Sequence, residues 1–262
     1  MATLEKQHNL SDSHWYTRDG SPAYTIKKKD GKDRPATLRD ARKYNLLPSV
    51  TTIFNIMAKP QLDRWKINKA VTAALSTERD EDEPDDRYYK RIVERSREEV
   101  SEAADLGTRI HDGIEASFEG KPVADNIKCY VEPTMEYIDG LKLKDIVMEK
   151  SVVCHRYGYA GRVDLMAKYG ESNIVIDFKT RKTKEGEKVL PYDFQAMQIA
   201  AYAYAAFGDL TKTYGANVYI STTEPGRIET ASYNPDQLLI EQGAFLDMTS
   251  LWRYIKNYDP RS

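Results

Sequence analysis

Gly161-Arg162-Val163-Asp164-Leu165-Met166-Ala167, a break at Tyr169-Gly170-Glu171-Ser172, and then Asn173-Ile174-Val175-Ile176-Asp177-Phe178-Lys179-Thr180 form the stretch that decides how this chain folds. Both halves are apolar runs of β-strand length, and each delivers an acid. On a strand, residues i and i+2 share a face. Asp177 and Lys179 therefore point the same way, and Phe178 points the other. A hairpin-like turn at 169–172 lays the first strand beside the second and lets Asp164 join them. Two carboxylates and an ammonium at one spot suit a divalent cation and a phosphate. Asp-x-Lys alone is a weak signal that often marks a solvated strand edge. Here the acids interrupt runs rich in Val, Ile and Leu, where ionised groups are rarely buried without partners.

Composition sets the bounds. The chain has 262 residues, 40% of them hydrophobic, enough for one large domain or two small ones. A formal net charge of −2 excludes a global basic field, so any nucleic-acid contact must use local patches. Cys129 and Cys154 are too few for a disulfide scaffold and lack metal-site spacing. No run approaches the ~20 apolar residues of a membrane span. Met1-Ala2-Thr3-Leu4-Glu5-Lys6 has no signal-peptide core. A soluble protein of a reducing, cytoplasmic compartment is expected, with no membrane partner.

Working outward, residues 1–14 read as polar and loose. His14-Trp15-Tyr16-Thr17, Asp19-Gly20 and Ala23-Tyr24-Thr25-Ile26 predict a β-hairpin with an Asp-Gly turn. Lys27 to Arg34 is a basic connection, either a solvated loop, the safer reading, or a phosphate-contacting one. Short helices are expected over 38–44 and from Pro48-Ser49-Val50, and a longer one from Pro60 through Ala74. Arg79 to Asp86 is an acidic surface break. One helix is expected over 87–104, a second from Leu106-Gly107-Thr108 to Phe118, and a third over 131–141. Strands near 146–155, 161–169 and 173–180 follow, then an Ala-rich helix from Pro191 to Phe207. Strands at 214–221 and 227–233 and a helix from Pro235 to Tyr258 complete the order. The fold expected is α/β, a mixed central sheet flanked by helices, with a helical N-terminal half. We read 1–262 as one domain, with 1–104 an N-terminal hairpin and helical elaboration and 105–262 the core.

Several residues outside the central stretch belong with it. His111 and Glu115 are four apart on a helix and share a face. A neutral imidazole among oxygens suits Mn²⁺ as well as Mg²⁺, although a lone helical histidine is more often structural. Glu149 opens the strand before that of Asp164, either an edge acid or a further carboxylate near the metal. Gln198 and Tyr202 lie one turn apart on the Ala-rich helix, with Gln195 on nearly the same stripe. They can bond to Lys179, a carboxylate or a phosphate, or simply satisfy each other in the core. Arg181, Lys182 and Lys184 stand just past Lys179, where a basic loop can hold a nucleic-acid backbone. Trp15, Tyr16, Trp65, Tyr88 and Tyr89 are more readily core than stacking platforms.

Gly107-Thr108-x-x-His111, Glu149, Gly161-x-Val163-Asp164, Asp177-Phe178-Lys179 and Gln198-x-x-x-Tyr202 together resemble the PD-(D/E)XK nuclease superfamily, nearest its RecB-like and phage-exonuclease branch. The likeness covers about residues 105–207, and Pro48-Ser49-Val50-Thr51 is similar to the opening of phage members. The resemblance implies a restriction-endonuclease-like core that hydrolyses phosphodiesters with Mg²⁺ or Mn²⁺. It implies His111, Asp164, Asp177 and the Phe178 carbonyl as metal ligands, with Lys179 acting on the attacking water. Glu149, Gln198 and Tyr202 assist, Glu149 or Glu115 can share a second ion, and Arg181, Lys182 and Lys184 touch DNA. It implies a DNA exonuclease acting on single strands or duplex ends in recombination, repair or phage DNA processing. Such a protein works in a bacterial cell or a phage-infected host, alongside recombination or replication proteins. Iron–sulfur members carry a cysteine quartet that two cysteines cannot supply, so no cluster is expected. A structure-specific endonuclease, a non-cleaving nucleic-acid binder on the same fold and a hydrolase of a small phosphate ester are the rival readings.

Overall fold

The computed structural model describes residues 13–192 and 194–261. Its elements begin with β1 (Trp15–Tyr16), β2 (Thr25–Lys27), β3 (Asp33–Pro35), α1 (Leu38–Tyr44), β4 (Leu47–Pro48) and α2 (Val50–Phe54). The helices α3 (Pro60–Ser76), α4 (Asp85–Phe118) and α5 (Asp125–Gly140) follow. Then come β5 (Lys144–Cys154), β6 (Tyr159–Tyr169), β7 (Ser172–Arg181), α6 (Gln195–Phe207), β8 (Thr213–Ser221), β9 (Ile228–Tyr233) and α7 (Pro235–Lys256). The chain divides into two compact units: Met1–Ile56 with Glu132–Ser262, and Met57–Val131.

The first unit is built on a five-stranded mixed sheet in the order β5-β6-β7-β8-β9, flanked by helices. All neighbours are antiparallel except β7 and β8. A parallel pair needs a crossover, and α6 supplies it. This helix lies close on the sheet because its partners are glycines. A Cβ at Gly215 would meet Ile199 Cγ2 at 2.2 Å, and one at Gly161 would meet Tyr202 Cε1 at 2.3 Å. Val163, Val175, Ile199, Phe245 and Trp252 belong to one buried core that also takes in Trp15, Val50 and Phe54. The apolar faces of α2, α6 and α7 thus close over the strands.

Local signals fix the ends. Ser49 caps α2 by accepting from Thr52 N at 2.9 Å. Asn234 and Gln237 form a capping box at the start of α7. The turn between β6 and β7 is closed by Tyr169 paired with Ser172, with Gly170 at φ 61°. In the second unit, α3 starts at Pro60 and packs against α4. The Tyr88 hydroxyl reaches the carbonyls of Ala74 and Thr77 at 3.3 and 3.1 Å.

Several expectations need correction. The two helices expected over 87–104 and 106–118 are one helix of 34 residues, Asp85–Phe118. Gly107 is tolerated inside it, at about 1 kcal/mol relative to alanine, and the 104/105 boundary drawn from sequence falls within it. The acidic break ends earlier than expected, since Asp85 and Asp86 form the first turn of α4, favourable at a helix N-terminus. The helix expected from 131 begins at Asp125, with Pro133 inside it. The Ala-rich helix begins at Gln195, after Phe194 takes a left-handed φ of 72°. The N-terminal hairpin is redistributed. The turn at Asp19-Gly20 exists, with Gly20 at φ 87°, and Tyr16 makes one bridge to Pro22. However, β1 pairs with β4, and β2 pairs with β3. The lysine-rich connection is itself the hairpin loop, closed by Lys28 N to Lys32 O at 2.7 Å. Residues 1–12, including the N-terminal hexapeptide, lie outside the described residues.

Candidate functional site

The paired register of β6 and β7 ends at Leu165–Ile176. The next residue on each strand is an acid, Asp164 and Asp177. Where the ladder stops, a backbone N–H needs another acceptor, and Asp164 provides it by accepting from Phe178 N at 2.8 Å. Asp177 is 2% exposed. It accepts from Lys179 Nζ at 2.5 Å and from Asn217 Nδ2 at 3.0 Å. Asn217 is the register partner of Asp177 across the parallel β7–β8 pair. Its own Oδ1 accepts the Tyr233 hydroxyl at 2.9 Å. The shared face expected for Asp177 and Lys179 is therefore present.

Glu149 does not begin its strand. It lies inside β5, between the pairs Met148–Leu165 and Lys150–Val163, which sets it opposite Asp164. Its φ is 49°, a left-handed value that a non-glycine strand residue adopts only under constraint. Carboxylate oxygens of Glu149 and Asp164 lie within 4.8 Å of each other. Glu149 also ion-pairs with Arg162. Sequence reading passed over Arg162 and Asn217, although both left a signal. Arg162 is two residues before Asp164, and Asn217 is an amide inside the apolar run of β8.

On α6, Gln198 Nε2 donates to the Tyr202 hydroxyl at 3.0 Å, so the amide is satisfied by Tyr202 rather than by Lys179 or a carboxylate. The Tyr202 ring covers Gly161. Gln195 is engaged elsewhere, accepting from the Tyr219 hydroxyl at 2.6 Å and from Tyr192 N at 2.8 Å. Tyr16, 2% exposed, packs on Leu47 and Ala160, and its hydroxyl lies 2.7 Å from that of Tyr24.

Charge is crowded here. Burial, and then the neighbouring Asp177, push the Asp164 carboxyl up to about 7. Burial pulls the Lys179 ammonium down, but Asp177 and Asp164 more than reverse this and leave it raised. Burial, reinforced by Asp177, drives the Tyr202 phenol far up, so it remains a neutral donor.

The other sequence candidates fall as follows. Phe178 is buried between its two charged neighbours in sequence. His111 and Glu115 belong to the second unit, both half-buried and one turn apart on α4. Arg181 is committed within the fold. It donates to the Leu190 carbonyl at 2.5 Å and lies 4.1 Å from the centre of the Tyr192 ring. Lys182 and Lys184 are exposed on a loop that is tied down at Thr183, whose N–H donates to Thr223 Oγ1 at 2.9 Å. Trp15 is core, and Trp65 and Tyr89 are partly exposed, at 38% and 56%. No helix among the described residues is long and apolar enough to cross a membrane.

No family model matches the chain, and no curated protein matches it. Among solved structures it is similar to SSO0001, at 18% identity over 71% of this chain and 86% of that one. The TM-score of 0.32 makes that likeness too distant to carry an argument. The fold is that of a mixed α/β protein whose acids gather where two strands of its sheet part.

Proposed function

We infer that this chain is a metal-dependent deoxyribonuclease with a PD-(D/E)XK, restriction-endonuclease-like core, and that it acts as an exonuclease on DNA ends or single strands. The supporting observation is that Glu149 and Asp164 lie within 4.8 Å of each other, with Asp177 and its ion-paired Lys179 beside Asp164 at the end of the β6–β7 ladder. The donor set suits the ion. Carboxylates of Glu149, Asp164 and Asp177 and the Phe178 carbonyl are hard oxygen ligands of the kind Mg²⁺ and Mn²⁺ take. Burial, and then Asp177, raise the Asp164 carboxyl to about 7, and a bound cation would favour its ionised form.

A bound divalent ion would lower the pKa of a water and draw charge from the scissile phosphate. The chain's own groups do the rest. Lys179, held by Asp177, presents its ammonium to orient the attacking water and offset the charge that develops on phosphorus. Arg162 holds Glu149 toward Asp164. Tyr202, neutral and bonded to Gln198, offers a hydroxyl beside the acids. Lys182 and Lys184 supply exposed charge for the nucleic-acid backbone.

The test is digestion with Mg²⁺ or Mn²⁺ of linear and circular DNA, single- and double-stranded, labelled at either end. Loss of linear but not circular substrate is the expected result. Cutting of circles would make the protein an endonuclease. Binding without cutting under either ion would make it a non-cleaving binder and remove the reading.

A further inference from the structure

The N-terminal strands lead outward from the acid centre, and their residues form a graded path. Nearest the centre, the Tyr202 ring covers Gly161. Tyr16 packs on Ala160, the next residue along β6, and its hydroxyl is close enough to that of Tyr202 to interact electrostatically. The Tyr16 hydroxyl meets that of Tyr24 at 2.7 Å, with the two rings edge to face at 5.6 Å. Tyr24 is half-buried, and the exposed His14 ring lies 4.7 Å from it, tilted by 32°. One residue beyond Tyr24 the β2–β3 hairpin begins, with Lys27, Lys28, Lys29 and Lys32 all exposed.

This hairpin is braced at its base. Arg34 makes two bonds to Asp40, at 2.6 and 2.7 Å, and Asp40 also accepts from Thr37 at the start of α1. Ala36 N donates to the Tyr24 carbonyl at 2.8 Å. The bracing uses Arg34 and leaves the lysines to solvent. Four lysines stand against two aspartates, Asp30 and Asp33, over residues 27–33. None of the four ammonium groups is ion-paired to a carboxylate among the described residues. A fixed arm with solvated cations, an aromatic pair at its root and an acid centre beyond has the make-up of a single-strand binding groove: charge for phosphates and ring faces for bases.

We propose that the β2–β3 hairpin is a binding track for single-stranded DNA. Lys27, Lys28, Lys29 and Lys32 hold successive phosphates, and Tyr24 with His14 stacks a base of the strand entering the acid centre. The track rests on the reading of that centre as a DNA-cleaving site, so the test must separate the two. The full chain is titrated into a fluorescent 20-nucleotide single strand with Ca²⁺ replacing Mg²⁺, over a series of NaCl concentrations. Replacing all four lysines by glutamine removes up to four phosphate contacts. The slope of log affinity against log salt should then flatten by about 2 to 3, at roughly 0.7 per phosphate for a single strand. Tyr24→Ala should weaken binding about tenfold, and Tyr24→Phe, which keeps the ring, far less. Mn²⁺ affinity without DNA should be unchanged in all three variants, which also reports that each is folded. An unchanged salt slope in the four-lysine variant, with the wild type binding DNA, overturns the track and leaves the acid centre standing. A wild type that binds no single strand likewise overturns the track, and metal-dependent cleavage of duplex ends then decides the acid centre by itself.

Discussion

Glu83 and Asp177 are both buried carboxylates, one in each compact unit, and their surroundings are balanced in opposite senses. Glu83 is 6% exposed, with Arg91 at 2.7 Å and Arg87 at 3.8 Å: two guanidinium groups for one carboxylate. Asp177 neighbours Asp164, whose carboxylate lies within 4.8 Å of that of Glu149, and these three carboxylates meet two cations, Lys179 and Arg162. The first cluster is closed in charge, and it stitches the start of α4 to the segment before it. The second is short of positive charge, and burial first and the neighbouring Asp177 second raise the Asp164 carboxyl to about 7. A structural ion cluster satisfies itself, whereas one that works leaves a charge for its ligand to supply.

The sharpest way to break this contrast is Lys179→Ala. If the second cluster is a reaction centre, cleavage should fall about a thousandfold while oligonucleotide affinity changes little. Single-turnover rates beside binding titrations measure both. A variant cutting at the wild-type rate would take Lys179 out of the mechanism. A smaller effect is expected from Gly161→Ala. The new Cβ would meet Tyr202 Cε1 at 2.3 Å, so either the helix or the ring must yield. We expect a stability loss of about 2 kcal/mol in urea unfolding, with slower cleavage as Tyr202 shifts. Unchanged stability would mean that the contact is slack. Smaller still is Glu83→Gln in the closed cluster. Its arginines are 39% and 73% exposed, so water screens the pair and the loss should be about 1 kcal/mol. Cleavage by this variant should match the wild type. A large drop in rate would erase the distinction drawn between the clusters.

Much of the first unit is legible in the sequence because its signals are local. Each strand from β5 to β9 falls within a residue or two of its apolar run, and α1 coincides with Leu38–Tyr44. Caps and prolines set the starts of α2, α3 and α7. The turn at Gly170 reads from one glycine between two apolar runs. Where the pairing partners are distant in sequence, local reading failed. Trp15–Tyr16 takes Leu47–Pro48 as partner rather than the nearer strand, a long-range choice made by burial that no turn residue announces. Glu149 shows the same limit. Its type was readable, but its left-handed backbone opposite Asp164 arises from the register of β5 on β6. Asp164 and Asp177 were recognisable as acids in apolar runs. That the ladder stops between them, with Asp164 taking over the Phe178 N–H, is a property of two strands together. The continuity of α4 through Gly107 was hidden by a residue that weakens helices without ending them.

Manganese binding without DNA shows whether the acids of β6 and β7 hold a divalent ion. Mn²⁺ is titrated into the full chain and the free ion followed by electron paramagnetic resonance, for the wild type, Asp164→Asn, Asp177→Asn and Glu83→Gln. The account predicts a wild-type site that each aspartate substitution weakens at least about tenfold, with Glu83→Gln binding as the wild type does. Equal affinity in all four proteins, or no binding by any, would contradict it.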